Sequence, residues 1–286
     1  TMNLLKILRN REISDENSQI KNLQVCPPFL DRLDLDCKLF GHEGCVNCLE
    51  FSSNGSVLAS GSDDLKIFLW DVYRNKKIAS IQSHHRGNIF SVKFLPKSND
   101  SQIVSGAADH CIFGYDLSKP EEPIFRCRCH TSRVKRLACA PELPFTFFSS
   151  SEDGCIHQYD TRSPHTCKST ASEPNNKILL LDLKKHQEYC EVKCIAINPR
   201  RPEQLAVGSN DCYVRIFDRR MISPMVPFAD NPDNITKAGC VQYYAPGHLQ
   251  SSMADKTQRY TAVTFISFSP NGSEILVNYG SEQIYL

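Results

Sequence analysis

Several absences narrow the class of this sequence. It has no apolar run near the roughly 20 residues that cross a bilayer as a helix. Its first stretch, Met2 to Ile20, is charged and amphipathic and has no signal-peptide core. There is no excess charge of either sign, with 33 Lys and Arg against 32 Asp and Glu. A clamp for nucleic acid shows a basic surplus, so direct nucleic-acid binding is not expected, and neither is a polybasic membrane-surface role. There is also no glycine-rich phosphate loop and no nucleophile elbow, which leaves no candidate catalytic residue. Cytoplasm and nucleus are the expected locations.

Cysteine, in contrast, is abundant, with 14 residues. They are scattered, and many sit within apolar strand patterns, as Cys48, Cys139 and Cys194 do. That suits a reduced chain using cysteine as a small buried hydrophobe better than a disulfide framework. Cys45-x-x-Cys48 opens a strand whose side chains alternate between faces, and no second Cys/His pair has matching spacing. Cys127-x-Cys129 precedes a histidine, His130, that the repeat described next puts to another use. No metal and no cofactor are expected.

An internal repeat organises the chain. Five segments share one plan: an apolar strand, a turn, a strand rich in small residues, an Asp turn, and a third strand that in the first four closes on aromatic-Asp. They open at Val46, Ile89, Val134, Val192 and Val263, at intervals of 43, 45, 58 and 71 residues. The longer intervals imply insertions, read at 163–177 and 221–260. The apolar and small residues alternate as in half-buried strands. Asn54-Gly55 and Asn271-Gly272 adopt positive φ cheaply and suit tight hairpins.

Gly41-His42 followed by Trp70-Asp71 resembles the signature of WD40 repeats. The resemblance implies an all-β WD40 β-propeller. About five blades are visible, and they are expected to be part of a seven-bladed ring, with the chain stopping in the third strand of the fifth. It also implies a hydrogen-bonded tetrad inside each blade, carried by His42, Ser60, Asp64 and Trp70 in the first. The second copy offers His85, Ser105 and Asp109 with Tyr115 in place of Trp, and the third offers His130, Ser149 and Asp153 with Tyr159. The fourth keeps Asp211 without a clear histidine, and the fifth has Arg259 at that register. One His and one Asp recurring at the repeat period are internal glue rather than a catalytic pair.

Residues 1–36 differ in character from the blades at 37–286. Leu4, Leu5, Ile7 and Leu8 recur at helical spacing amid charge, and Pro27 to Leu33, with Phe29 and Leu30, predicts a short second helix after a polar linker. An amphipathic helix outside the repeats needs a surface, which is either the propeller edge or a partner.

Two adjacent blades end in an Arg two positions after the strand-terminal Asp: Asp160-Thr161-Arg162 and Asp218-Arg219-Arg220. The first two blades have Asp71-Val72-Tyr73 and Asp116-Leu117-Ser118 instead. Paired guanidiniums on one rim suit bidentate bonds to carboxylates or carbonyls, although Asp-x-Arg also forms an ordinary intra-blade salt bridge. The pairing resembles the "WDxR" motif of substrate receptors of cullin-4 ubiquitin ligases, with another aromatic in place of Trp. Gly41 to Glu50, Asn88 to Pro96, Arg133 to Arg136, Glu274 to Asn278 and Gln283 to Leu286 are similar to the WD and tetratricopeptide repeats ("adipose") family, itself a receptor family of that type. The resemblance runs from about residue 3 to 286 and places the chain in that family's N-terminal part, short of its tetratricopeptide region.

The resemblance implies a non-catalytic receptor that presents target proteins for ubiquitination. It would bind the ligase adaptor, the large damaged-DNA-binding subunit, and through it cullin-4. Arg162, Arg220, Asp160, Asp218 and the helical Leu4, Leu5, Ile7, Leu8, Phe29 and Leu30 are the adaptor-binding candidates. Arg133, Lys135 and Arg136 are expected on the upper rim as weaker candidates for an acidic substrate peptide. The alternative is a scaffold acting without the ligase, reading histones or a corepressor.

Overall fold

The computed structural model describes residues 27–162, 167, 179–183, 190–222, 240–252 and 262–286. The chain divides into two compact units, Thr1–Phe40 and Gly41–Leu286. In the first unit the described structure is one helical turn, α1 (Pro27–Leu30), closed by the Asp31 amide on the Pro27 carbonyl at 2.9 Å. Leu4, Leu5, Ile7 and Leu8 lie outside the described residues, as does Arg259. Among the described residues no helix is long and apolar enough to cross a membrane.

The second unit is five consecutive antiparallel sheets, each laid down in chain order. Blade 1 is β1 (Val46–Phe51), β2 (Val57–Ser62), β3 (Lys66–Asp71) and β4 (Lys76–Gln82). Blade 2 is β5 (Ile89–Phe94), β6 (Gln102–Ala107), β7 (Ile112–Asp116) and β8 (Pro123–Cys127). Blade 3 is β9 (Val134–Cys139), β10 (Thr146–Ser151), β11 (Cys155–Asp160) and β12 (Leu179–Asp182). Blade 4 is β13 (Val192–Ile197), β14 (Gln204–Ser209), β15 (Val214–Asp218) and β16 (Cys240–Tyr244). Blade 5 has three described strands, β17 (Val263–Phe268), β18 (Ile275–Tyr279) and β19 (Ile284–Tyr285). Each first strand packs on the first strand of the next blade, which is the radial arrangement of a propeller. The span 221–260, expected as an insertion alone, holds β16 and a short helix, α2 (Gly247–Ser252). This fourth strand is not legible in the sequence, because Cys240 to Tyr244 sits between long polar stretches and shows no clear alternation.

The blades lock together through a size match. The second strands carry Gly61, Gly106 and Gly208, and a Cβ on each would lie 2.7 Å from Ile89 Cγ2, 2.7 Å from Val134 Cγ1 and 2.5 Å from Val263 Cγ1. Those three residues head the first strands of the following blades and are fully buried. Burying each contributes about 1.5–3 kcal/mol, and the missing side chain lets the sheets approach closely enough to do it. Val46 heads β1 in the same register but is 47% exposed, and Leu49 and Phe51 on the same strand are exposed too. Their counterparts in β5, Val92 and Phe94, are buried because blade 1 covers them.

Inside each blade, hydrogen bonds fix the turn that leads into the third strand. His42 Nδ1 meets Asp64 Oδ2 at 2.8 Å, its Nε2 meets Ser60 Oγ at 2.7 Å, and Trp70 Nε1 donates to the same Oγ at 2.8 Å. Asp64 also accepts from the backbone amides of Glu43 and Lys66. Blades 2 and 3 repeat the pattern with His85, Asp109 and Ser105, and with His130, Asp153 and Ser149. The two tyrosines diverge. Tyr159 keeps the bond to Ser149, whereas the Tyr115 hydroxyl accepts from the His84 amide, so Tyr115 does not take the tryptophan's role. In blade 4, where residues 184–189 ahead of the first strand lie outside the described residues, Asp211 is engaged from within the blade: Arg215 Nη2 meets Asp211 Oδ2 at 2.5 Å and Nη1 meets Ser209 Oγ at 3.1 Å. Asp211 is buried and Arg215 half-buried, and removing one partner of such a pair costs up to about 3–5 kcal/mol.

Two expected outcomes follow. Gly106→Val forces a methyl into the Val134 side chain and is expected to destabilise the propeller by about 2–3 kcal/mol, read as a lowered midpoint in urea denaturation; an unchanged midpoint would mean that the blades do not set each other's spacing. The second concerns acid. Burial opposes ionisation of Asp64, Asp109 and Asp153, but hydrogen bonds from His42, His85 and His130 and from backbone amides outweigh it and hold all three below the ordinary carboxylate value. A lowered folded-state value stabilises the protein above the unfolded value, and that stability is lost as pH falls through the folded one. Thermal stability should therefore hold steady with respect to these groups down to about pH 5 and drop steeply below about pH 4. Asp109→Asn should flatten that drop, and an identical acid slope in the variant would contradict this origin.

Candidate functional site

The rim where third strands exit is the lower one, and the Asp-turn rim is the upper. On the lower rim, Asp71, Asp116, Asp160 and Asp218 each end a third strand and accept a hydrogen bond from the backbone amide two residues on, at 3.0, 2.8, 2.9 and 3.0 Å. These are Asx turns, for which a short carboxylate side chain suffices. The residue receiving the turn is Tyr73 in blade 1 and Ser118 in blade 2, and it is an arginine only in blades 3 and 4.

The two arginines adopt the same geometry. Arg162 Nε donates to Asp160 Oδ1 at 3.0 Å and Nη2 to Oδ2 at 2.6 Å. Arg220 does the same to Asp218, also at 3.0 and 2.6 Å. Each fork is thus closed on its own carboxylate, the ordinary intra-blade pair, yet the arginine side chains stay 64% and 71% exposed. The hydrogen bond from the arginine holds each carboxylate below its usual range, so both pairs are charged at neutral pH. Arg162 also stacks its guanidinium 4.7 Å from the centre of the Phe145 ring. Pairing in this way costs little and freezes the side chain, and it uses only the Nε–Nη2 edge of a five-donor group. The Nη1 edge is held away from its own aspartate.

Arg219, between them, was given no role by sequence pattern. Its Nε donates to the Pro202 carbonyl at 2.7 Å, its guanidinium lies 4.9 Å from the Phe148 ring centre, and its Nη1 reaches Gln158 in blade 3 at 3.4 Å. It ties blade 4 to blade 3 and so fixes one Asp-x-Arg turn relative to the other. Only the side-chain direction distinguishes Arg219 from Arg220, and nothing in a dipeptide encodes that.

The expected basic cluster on the upper rim is divided. Arg133 is on the rim, with Nε 3.9 Å from Glu152. Lys135 and Arg136 lie within β9, the inner strand, because the strand starts one residue after Arg133. Lys135 sits 3.7 Å over the Phe90 ring and 4.0 Å from Glu152, and Arg136 lies 4.8 Å from the Phe265 ring in blade 5. Lys93–Glu50 at 2.7 Å links the inner strands of blades 1 and 2, and Lys193–Glu152 at 2.9 Å ties the inner strand of blade 4 to the turn after β10 in blade 3. Of the terminal candidates, Leu30 is exposed and Phe29 belongs to α1. A cleft of about 560 Å³ runs between β16 and blade 5, lined by Tyr243, Tyr244, Tyr279 and Tyr285 with Glu274 as its carboxylate.

The WD domain, G-beta repeat model matches residues 35–71, 121–160 and 177–218, which include both Asp-x-Arg strands up to their aspartates. The human WD and tetratricopeptide repeats protein 1 is 41% identical over the whole of this chain, which spans 43% of that protein's length. Protein ALTERED SEED GERMINATION 2 of Arabidopsis thaliana is 34% identical over 99% of the chain and 39% of its own length. The human DDB1- and CUL4-associated factor 6 is 36% identical over 90% of the chain and 28% of its own length. With five antiparallel blades and these matches, the chain is a WD40-repeat β-propeller protein, similar over its full extent to the WD and tetratricopeptide repeats protein 1.

Proposed function

We propose that this chain is a non-catalytic substrate receptor that docks on DDB1, the adaptor of CUL4 ubiquitin ligases, through the lower rim. The observation that carries it is the repetition of one rigid geometry on adjacent blades: two exposed arginines, each frozen by its own aspartate, with Arg219 fixing their relative placement. A single Asp-x-Arg pair is an ordinary surface ion pair worth about 0–1 kcal/mol. Two on one rim form a preorganised donor array that loses little side-chain entropy when a partner's carbonyls or carboxylates arrive. The relative named as a DDB1- and CUL4-associated factor, 36% identical, supports the choice of partner. The N-terminal segment would add apolar contact, and the upper rim would be left to present substrates.

Pull-down with purified DDB1 tests this. Arg162→Ala/Arg220→Ala should keep the native melting profile and bind at least about 30-fold more weakly, the loss typical of a hot-spot arginine of about 2 kcal/mol or more. Arg74→Ala, which removes the exposed arginine of the blade 1 turn, should bind as the native chain does. A folded double variant with native affinity would refute the lower-rim interface. Chromatin or histone binding that survives the double substitution, with no DDB1 binding at all, would favour a scaffold independent of the ligase.

A further inference from the structure

Three thiols from two blades converge at the end of β8. Cys127 closes that strand, Cys129 follows two residues on, and Cys167 comes from the connection between β11 and β12. Their sulfurs form a triangle, with Cys127–Cys129 at 3.2 Å and Cys129–Cys167 and Cys167–Cys127 both at 3.6 Å. Cys127 is fully buried, Cys129 half-buried and Cys167 exposed, so the triangle opens toward solvent on one side. Two donors point at it: the Arg128 amide meets the Cys167 sulfur at 3.1 Å, and the Tyr159 hydroxyl bonds Cys127.

We propose that Cys127, Cys129 and Cys167 form a trithiolate site for a thiophilic cation of the Zn2+ type. Thiolates select soft cations, and a Zn–S bond is about 2.3 Å. A tetrahedral centre then sets its sulfurs about 3.8 Å apart, so the triangle needs to open by only a few tenths of an ångström. A disulfide would use two of the sulfurs and gives no reason for the third to sit equally close to both. Donors aimed at the sulfurs are the outer-shell contacts that steady thiolate ligands. Three thiols bind the cation as thiolates and release three protons, leaving a fourth position on the solvent side for water. Because the cation displaces thiol protons, affinity should climb with pH. The site would fasten the connection that begins at Arg162 to the outer strand of blade 2. From sequence, Cys127-x-Cys129 with His130 lacked a further ligand because Cys167 is far along the chain and His130 is committed to Asp153 and Ser149.

Cobalt titration of the reduced chain is the test. One Co2+ per chain is expected, with thiolate-to-cobalt charge-transfer bands that Zn2+ abolishes and three protons released per ion. Cys129→Ser/Cys167→Ser changes only residues outside the buried core, and should stay folded and weaken binding by about 100-fold or more. Cys37→Ser/Cys45→Ser removes two exposed cysteines elsewhere and should bind as the native chain does. Failure of the reduced native chain to take up cobalt, cobalt bound without thiolate bands, or a folded Cys129→Ser/Cys167→Ser chain of native affinity would each overturn the site.

Discussion

The spacing between blades rests on one contact repeated around the arc: a glycine in a second strand beneath the branched residue that heads the next blade. Gly61, Gly106 and Gly208 admit Ile89, Val134 and Val263 to within reach of the backbone, and Ser150 occupies the matching register in blade 3. Because the contact is between neighbours, each blade fixes only the next, as in other repeat folds. The hydrogen-bonded Asp turns then hold the third strands at a set height. With neighbour spacing and strand height fixed, the residues that leave the third strands on the lower rim are fixed as well. Rigid presentation of Arg162 and Arg220 is therefore a property of the fold rather than of their own loops.

Variation among the blades carries the functional information. All four complete blades end their third strand in an Asx turn, so the aspartate serves the fold and its presence says nothing of binding. Arginine at the receiving position in two adjacent blades is the departure. Blade 4 shows a second kind of departure, in which Arg215 engages the Asp turn through an ion pair with buried Asp211. That change stays inside the blade and leaves its lower-rim turn the same as that of blade 3.

Much of this was legible in the sequence because it recurs. The opening positions Val46, Ile89, Val134, Val192 and Val263 each head a first strand, and His42, His85 and His130 find the aspartates that the spacing assigned them. What does not recur was not legible. The pairing of Arg215 with Asp211, the bridge from Arg219 to Gln158, the divergence of Tyr115 from Tyr159, and the approach of Cys167 to Cys127 all depend on side-chain direction or on long loops. Lys135 and Arg136 read as rim residues beside Arg133, but β9 starts at Val134 and carries both along the inner strand.

Hydrogen–deuterium exchange of the chain with and without DDB1 examines the lower-rim account most directly, because it reads backbone protection without altering any residue. The account requires slowed exchange at the 160–162 and 218–220 turns on adding DDB1, with the 62–66 and 107–111 turns of the upper rim unchanged. Protection confined to the upper-rim turns, with the two Asp-x-Arg turns exchanging as they do in the free chain, would contradict it.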